Sequence, residues 1–266
     1  MKKIALALLI AVLNSVTYAA ARYLWYKSGQ FAAKLMVAKP VDESNVMNYY
    51  VAGNINQPDV AFKFMENDLE GGITYVMYRE NRGCDMRAIA RQVIADAKAH
   101  GYQARVIGIS IGDLVGRYAE AELKDAETIA INPEPDPRFL KPWARWTLRI
   151  VAPVMEVLSI LCGWLSQLPL ARGFSLAFLA DQWWEIAYRT ETPTEKGKTL
   201  GVICSTRDEF LDNETIEFHY DGIPLEYADT NHGNTVDTAE AYIDAWKRLQ
   251  KEFAEQAYLE AWETRY

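Results

Sequence analysis

The segment Gly108-Ile109-Ser110-Ile111-Gly112 matches G-x-S-x-G, a spacing that suits a serine held on a sharp turn with no side chains crowding either flank. A serine hydroxyl is a poor nucleophile until a neutral imidazole takes its proton, so the chemistry calls for a histidine and a group that orients it. The chain has three histidines, His100, His219 and His232. By itself the pentapeptide says little, because Gly and Ser at about 7% each give a chance match in roughly one chain in ten of this length. Its setting carries the argument. An apolar run, Ala104 to Ile109, leads into Ser110; a helix-compatible stretch through Leu123 follows; and Gly116 offers another close-packing position one turn on.

The elements that must hold this turn can be read from hydrophobic period. Val46 to Ala52 (VMNYYVA) reads as a buried strand ending at Gly53-Asn54, residues 57–70 as a short helix, and Ile73 to Tyr78 as a second strand. Met86, Ile89, Ala90, Val93, Ile94 and Ala97 recur at helical spacing, with Asp85 and Gly101 placed to cap the ends. Thr128 to Ile131 makes a further strand closed by Asn132-Pro133-Glu134-Pro135, and Thr199 to Cys204 another. A short polar helix or loop, a last strand near Ile223 to Tyr227 and a terminal helix with the stripe Tyr242, Ile243, Trp246, Leu249 and Phe253 complete the chain. Residues 22–45 carry no clear signal. This alternation predicts an α/β fold with a mostly parallel central sheet flanked by helices.

The strand, the G-x-S-x-G turn and the helix after it resemble the nucleophile elbow of the α/β-hydrolase superfamily. The resemblance runs from about residue 46 onward, outside an inserted segment, and the lack of strands ahead of Val46 suggests a reduced sheet. It implies a triad ordered Ser, then Asp or Glu, then His. Ser110 takes the first place. Asp208, in Ser205-Thr206-Arg207-Asp208 after TLGVIC, takes the second, with Ser205 where the family usually has glycine; Asp212 is its chief rival and Asp136 a weaker one. His232 lies after the last strand and before the terminal helix, the family's place for the base. His100 precedes Ser110 and reads as a solvent-facing or capping residue, and His219, in the alternating TIEFHY, as a strand or loop residue. The oxyanion hole is expected from the backbone N–H of Ile111 and from Asn54 or Ile55 in the loop after VMNYYVA, which lacks the family's usual His-Gly pair.

Composition narrows the partners. Half of the 266 residues are hydrophobic, and 36 acidic against 28 basic side chains give a net charge of −8, which argues against nucleic acid and anionic membrane surfaces as general targets. Cys84, Cys162 and Cys204 show no metal or disulfide spacing and read as buried small hydrophobes. No metal, phosphate or dinucleotide motif is present, so no cofactor is expected. Lys2 and Lys3 precede an uncharged stretch, Ile4 to Ala21, in the form of an export signal; Ala19 to Ala21 suit cleavage, while the length nearly suits a membrane anchor with Tyr18, Tyr23, Trp25 and Tyr26 as an interfacial belt. Either places the body outside the cytoplasm. The domain plan is a signal peptide or anchor (1–26), a first core part (27–136), a helical cap (137–190) holding Trp143, Trp146, Trp164, Trp183 and Trp184, and a second core part (191–266). Between Arg149 and Asp181 only Glu156 and Arg172 are charged, so the cap either packs on the core or lines an acyl pocket, and Pro153, Glu156 and Pro169 argue against a second span. The function these features imply is a serine hydrolase of the esterase or lipase type acting on a small lipophilic ester. An amidase or peptidase with the same triad, and a non-catalytic envelope binding protein, are the alternatives.

Overall fold

The computed structural model describes residues 2–28, 33–53, 58–78, 85–133, 137–168, 175–188, 198–232 and 239–263. In chain order its strands are β1 (Lys34–Lys39), β2 (Val46–Val51), β3 (Gly72–Met77), β4 (Gln103–Ile109), β5 (Glu127–Ile131), β6 (Lys198–Arg207) and β7 (Leu225–Asn231). The helices are α1 (Lys2–Ser28), α2 (Pro58–Ala61), α3 (Met86–His100), α4 (Asp113–Glu122), α5 (Pro142–Cys162), α6 (Leu176–Tyr188), α7 (Asn213–His219) and α8 (Ala239–Glu263). The strands form one sheet in the order β1-β3-β2-β4-β5-β6-β7. β1 is antiparallel to β3, and every other pairing is parallel.

Period two sorts the central strands onto two covered faces. Tyr49, Val51, Val106 and Val202 point to one side and pack with Ile89 and Val93 of α3 and Leu114 and Val115 of α4. Tyr50, Ile107, Ile109 and Ile203 point to the other and meet Phe62 and, from α8, Tyr242, Trp246 and Leu249. The ends of α3 follow the cap residues: the Asp85 side chain accepts from the Ala88 N–H at 3.0 Å, and Gly101 closes the helix at φ 71°. His100 at that end bonds back to the Asp96 carbonyl through Nδ1 (2.9 Å).

Three local expectations change. Residues 22–45 contain the end of α1 and the strand β1, whose side chains are almost all exposed, so the edge strand has no alternating pattern to betray it. The helix expected over 57–70 is a single turn, α2, followed by turns through Leu69. His219 lies at the end of a helix, α7, rather than in a strand or loop, and its ring meets Phe139 edge-on at 5.0 Å. Between β5 and β6 the long apolar segment is mostly helical in its described part, with α6 running beside α5 and a 3-10 turn, Gly163–Gln167, closing α5.

Candidate active site

β4 delivers the chain to Ser110 and α4 carries it away, with one 3-10 turn, Ser110–Gly112, between them. Ser110 sits at φ 53°, a left-handed conformation that costs a non-glycine residue about 1–3 kcal/mol and needs surrounding contacts to enforce it. Those contacts are backbone on backbone. A Cβ on Gly108 would lie 2.5 Å from the Asp113 nitrogen, and one on Gly112 would lie 2.4 Å from the Val51 carbonyl oxygen. Both glycines of the pentapeptide are therefore required by close approach. Gly116 is tight against the Thr128 side chain of β5, with a Cβ there 2.6 Å from its Oγ1.

Around this turn the chain gathers three residues from distant positions. His232 Nε2 lies 3.2 Å from Ser110 Oγ, and its Nδ1 lies 2.6 Å from Asp208 Oδ2. The other carboxylate oxygen of Asp208, Oδ1, accepts from the N–H groups of Phe210 and Leu211 at 2.8 and 2.7 Å. Burial alone would raise the Asp208 pKa, but the His232 hydrogen bond and charge together with those two amides hold it below the ordinary carboxylate range. Asp208 is thus an ionised acceptor against the imidazole. Asp212, the rival acid, stands at the head of α7 and accepts from Thr215 Oγ1 at 2.8 Å, so it is Asp208 that faces His232. Asn54, Ile55, Asp136 and Cys84 lie outside the described residues. Gly53, just before that loop, passes so near the turn that its Cβ would stand 3.0 Å from Ser110 Cβ. Ile111 is buried directly after the serine.

A second layer, not anticipated from sequence, fixes the acid loop. Asn132 ends β5 at φ 46°, accepts from the Ser205 N–H at 2.7 Å and donates to the Tyr242 hydroxyl at 2.7 Å. Ser205 Oγ meets the same hydroxyl at 2.8 Å. The serine standing where glycine was expected is therefore a member of a buried polar network, and Tyr242, placed in the core stripe, contributes its hydroxyl as well as its ring. Lys141 reinforces the loop from the inserted segment, its ammonium donating to the Asp208 carbonyl and its N–H to the Phe210 carbonyl at 2.7 Å. Beneath the turn, Arg117 lies between Asp113 Oδ2 (3.5 Å) and Glu120 Oε2 (3.8 Å) and donates to the Tyr220 hydroxyl, all four being buried.

The rim is apolar. Phe210 meets the His232 ring edge-on at 5.5 Å, and Trp143 of α5 meets Phe210 at 5.7 Å. Among the described residues no group of three or more His, Cys, Asp or Glu side chains is arranged to hold a metal.

A seven-stranded, mostly parallel sheet covered on both faces, with a strained serine after a central strand and acid and histidine on later strand ends, is the α/β-hydrolase fold, and the chain has that fold. Solved structures agree. A carboxylesterase of Nitrososphaera gargenis is 12% identical at a TM-score of 0.59, covering 84% of this chain and 96% of that one. A thermophilic esterase of Thermogutta terrifontis is 15% identical at 0.55, covering 83% and 94%. A membrane phospholipase A, described as a bacterial virulence factor, is 15% identical at 0.52 and covers 96% of this chain and 99% of that one. No protein-family model and no curated protein matches the sequence.

Proposed function

We propose that the chain is a serine hydrolase that cleaves lipophilic carboxylic esters, with Ser110 as nucleophile, His232 as general base and Asp208 as the acid that orients it. The observation that carries this reading is the unbroken relay from Ser110 Oγ through His232 to Asp208, at 3.2 and 2.6 Å. Ser110 Oγ attacks the ester carbonyl carbon as its proton passes to Nε2. The Asp208 carboxylate holds Nδ1–H, fixes the tautomer and stabilises the imidazolium. The N–H of Ile111 and one from Asn54 or Ile55 receive the oxyanion. As the tetrahedral adduct collapses, the C–O bond breaks and Nε2 returns the proton to the leaving alcohol; water then repeats the sequence on the acyl-enzyme.

The same relay would cleave an amide; the aromatic rim of Phe210 and Trp143 beside His232 favours an apolar substrate. Residues 137–190 act as a cap over this mouth. The neighbours known as esterases support the class of reaction, and the membrane phospholipase A supports lipid esters as substrates. α1 brings the chain to the membrane, with the catalytic body outside the cytoplasm.

A fluorophosphonate probe tests the nucleophile. Wild type is labelled, and Ser110→Ala loses the label and at least about 10³-fold of its ester turnover with its fold intact. Folded wild type that takes no label is instead a binding module. p-Nitrophenyl esters of graded length test the substrate class: indifference to acyl length removes the lipophilic ester.

A further inference from the structure

α1 and α5 run antiparallel and join through polar groups. Asn14 Nδ2 donates to the Cys162 carbonyl at 3.0 Å, and Ser15 Oγ to the Leu161 carbonyl at 3.1 Å. The Trp164 N–H donates to Asn14 Oδ1 at 3.3 Å and its indole N–H to Thr17 Oγ1 at 3.1 Å. One turn further, the Tyr18 hydroxyl meets Ser159 Oγ at 3.2 Å, both fully buried. Arg22 then pairs with Glu156 at 2.8 Å and with Asp181 of α6. Carbonyls in the last turn of a helix have no partner inside it, and here α1 supplies two of them. Gly163 is shaped to the contact, since it turns at φ 55° and a Cβ there would lie 2.3 Å from Asn14 Nδ2.

Outward, the same helices are apolar. Leu8, Leu9 and Ile10 are consecutive and all more than half exposed; Ile4 to Leu13 holds no polar residue and successive residues step about 100° round a helix, so α1 ahead of Asn14 is apolar on every side. A protein partner would cover one face, whereas an all-round apolar helix fits hydrocarbon. α5 instead shows one stripe, Trp143, Trp146, Ile150, Val154, Val157 and Leu161, all exposed. At its far end the stripe meets Leu165 in the turn beside α1, and at its near end Trp143 reaches the Phe210–His232 rim. Ile4 to Leu24 is 21 residues of high hydropathy. From Ile4 to Arg22 the helix rises about 27 Å, close to the roughly 30 Å of a bilayer's hydrocarbon. Arg22 and its carboxylates then lie at the aqueous boundary, and Asn14, some 15 Å along, lies near mid-bilayer with its amide satisfied by α5.

We propose that α1 is retained in the mature protein and that α1 and the α5 tip, Leu158 to Leu168, sit together in one lipid bilayer as a single embedded element, from which the α5 stripe leads to the mouth of the site. Cleavage after Ala21 would strip Asn14, Ser15, Thr17 and Tyr18 from the tip and expose its carbonyls. The inference goes beyond the proposed chemistry and does not depend on it.

The experiment uses the full chain, extracted from membranes and reconstituted in phosphatidylcholine vesicles, with Cys84, Cys162 and Cys204 replaced by alanine. Single cysteines at the exposed positions Leu161→Cys, Leu165→Cys and, on the edge strand, Val37→Cys carry a bimane label. Lipids bearing a nitroxide on the acyl chain quench the labels at 161 and 165 several-fold more than the label at 37, and the intact mass includes residues 2–21. Labels at 161 and 165 quenched no more than at 37, whether through water or through a second copy covering the tip, overturn the proposal, as does a mass lacking the first twenty-one residues. Since no turnover is read, an inert Ser110 leaves this result unchanged.

Discussion

Two buried arginines, each set against two carboxylates, do different work in this molecule. Arg117 takes both partners, Asp113 and Glu120, from its own helix at i−4 and i+3, and adds the Tyr220 hydroxyl from the far end of α7. Arg22 joins three helices, its partners being Glu156 on α5 and Asp181 on α6. The first cluster lies under the Ser110 turn, beside an otherwise apolar core. The second closes a contact that is polar inside and apolar outside. In water, elements associate by hiding apolar surface; in lipid that drive is absent, and polar pairs and close packing hold helices together. The contrast fits the embedding proposed above, in which one chain is sorted against two solvents, the α/β body facing water and the α1–α5 pair facing lipid.

Removing each arginine separates the two roles. Arg117→Ala leaves Asp113 as a buried carboxylate with no cation beside it, the case that costs about 3–5 kcal/mol. For a chain this long that is a fall in melting temperature of roughly 10 °C, measured by thermal unfolding and accompanied by loss of ester turnover because α4 anchors Ser110. A variant as stable as wild type would mean that the cluster is incidental to the core.

Arg22→Ala costs about 3 kcal/mol, the low end of the range, because Asp181 stays buried while Glu156 is partly open to solvent and can rehydrate. The loss is local. Limited proteolysis cuts between α1 and β1 or within the α5 tip faster than in wild type, while the rate on a short soluble ester stays near normal. Global unfolding at the same cost as Arg117→Ala would erase the distinction between a staple and a foundation.

How much of this was legible in the sequence depended on whether a feature announces itself by period or by burial. The elbow was readable because two glycines, an apolar run and a helical stretch stand in fixed order, and α3 because its stripe is bracketed by Asp85 and Gly101. β1 was invisible, since an edge strand exposed on nearly every residue has no apolar alternation. α7 was legible only as a short polar helix or loop, and the place of His219 in it was disguised by TIEFHY, seven residues being too few for a helical period to outweigh chance alternation. The Arg117 cluster was missed for a different reason. Charges at i, i+3 and i+4 are the ordinary signature of a solvated helix face, and only the packing of α4 under the sheet makes them buried. Asn132 likewise reads as a turn residue until the fold brings it to Ser205 and Tyr242.

Glu120 provides the finest test of the comparison, because burial moves its titration into an accessible pH range. Burial pushes its carboxyl up to about 7, outweighing the attraction of Arg117 and the hydrogen bonds of Thr128 and Thr199. In the unfolded chain a glutamate titrates near 4.3. Between those values the folded protein binds more protons than the unfolded, so stability falls as pH rises from about 4.5 to 7 and levels off above. Glu120→Gln keeps the shape of the protonated acid and lacks the proton to lose. Its melting temperature therefore matches wild type near pH 5 and exceeds it near pH 8, reflecting a stability difference on the order of 2 kcal/mol. Parallel curves across that range would show Glu120 ionised throughout, with Arg117 then holding two full charges.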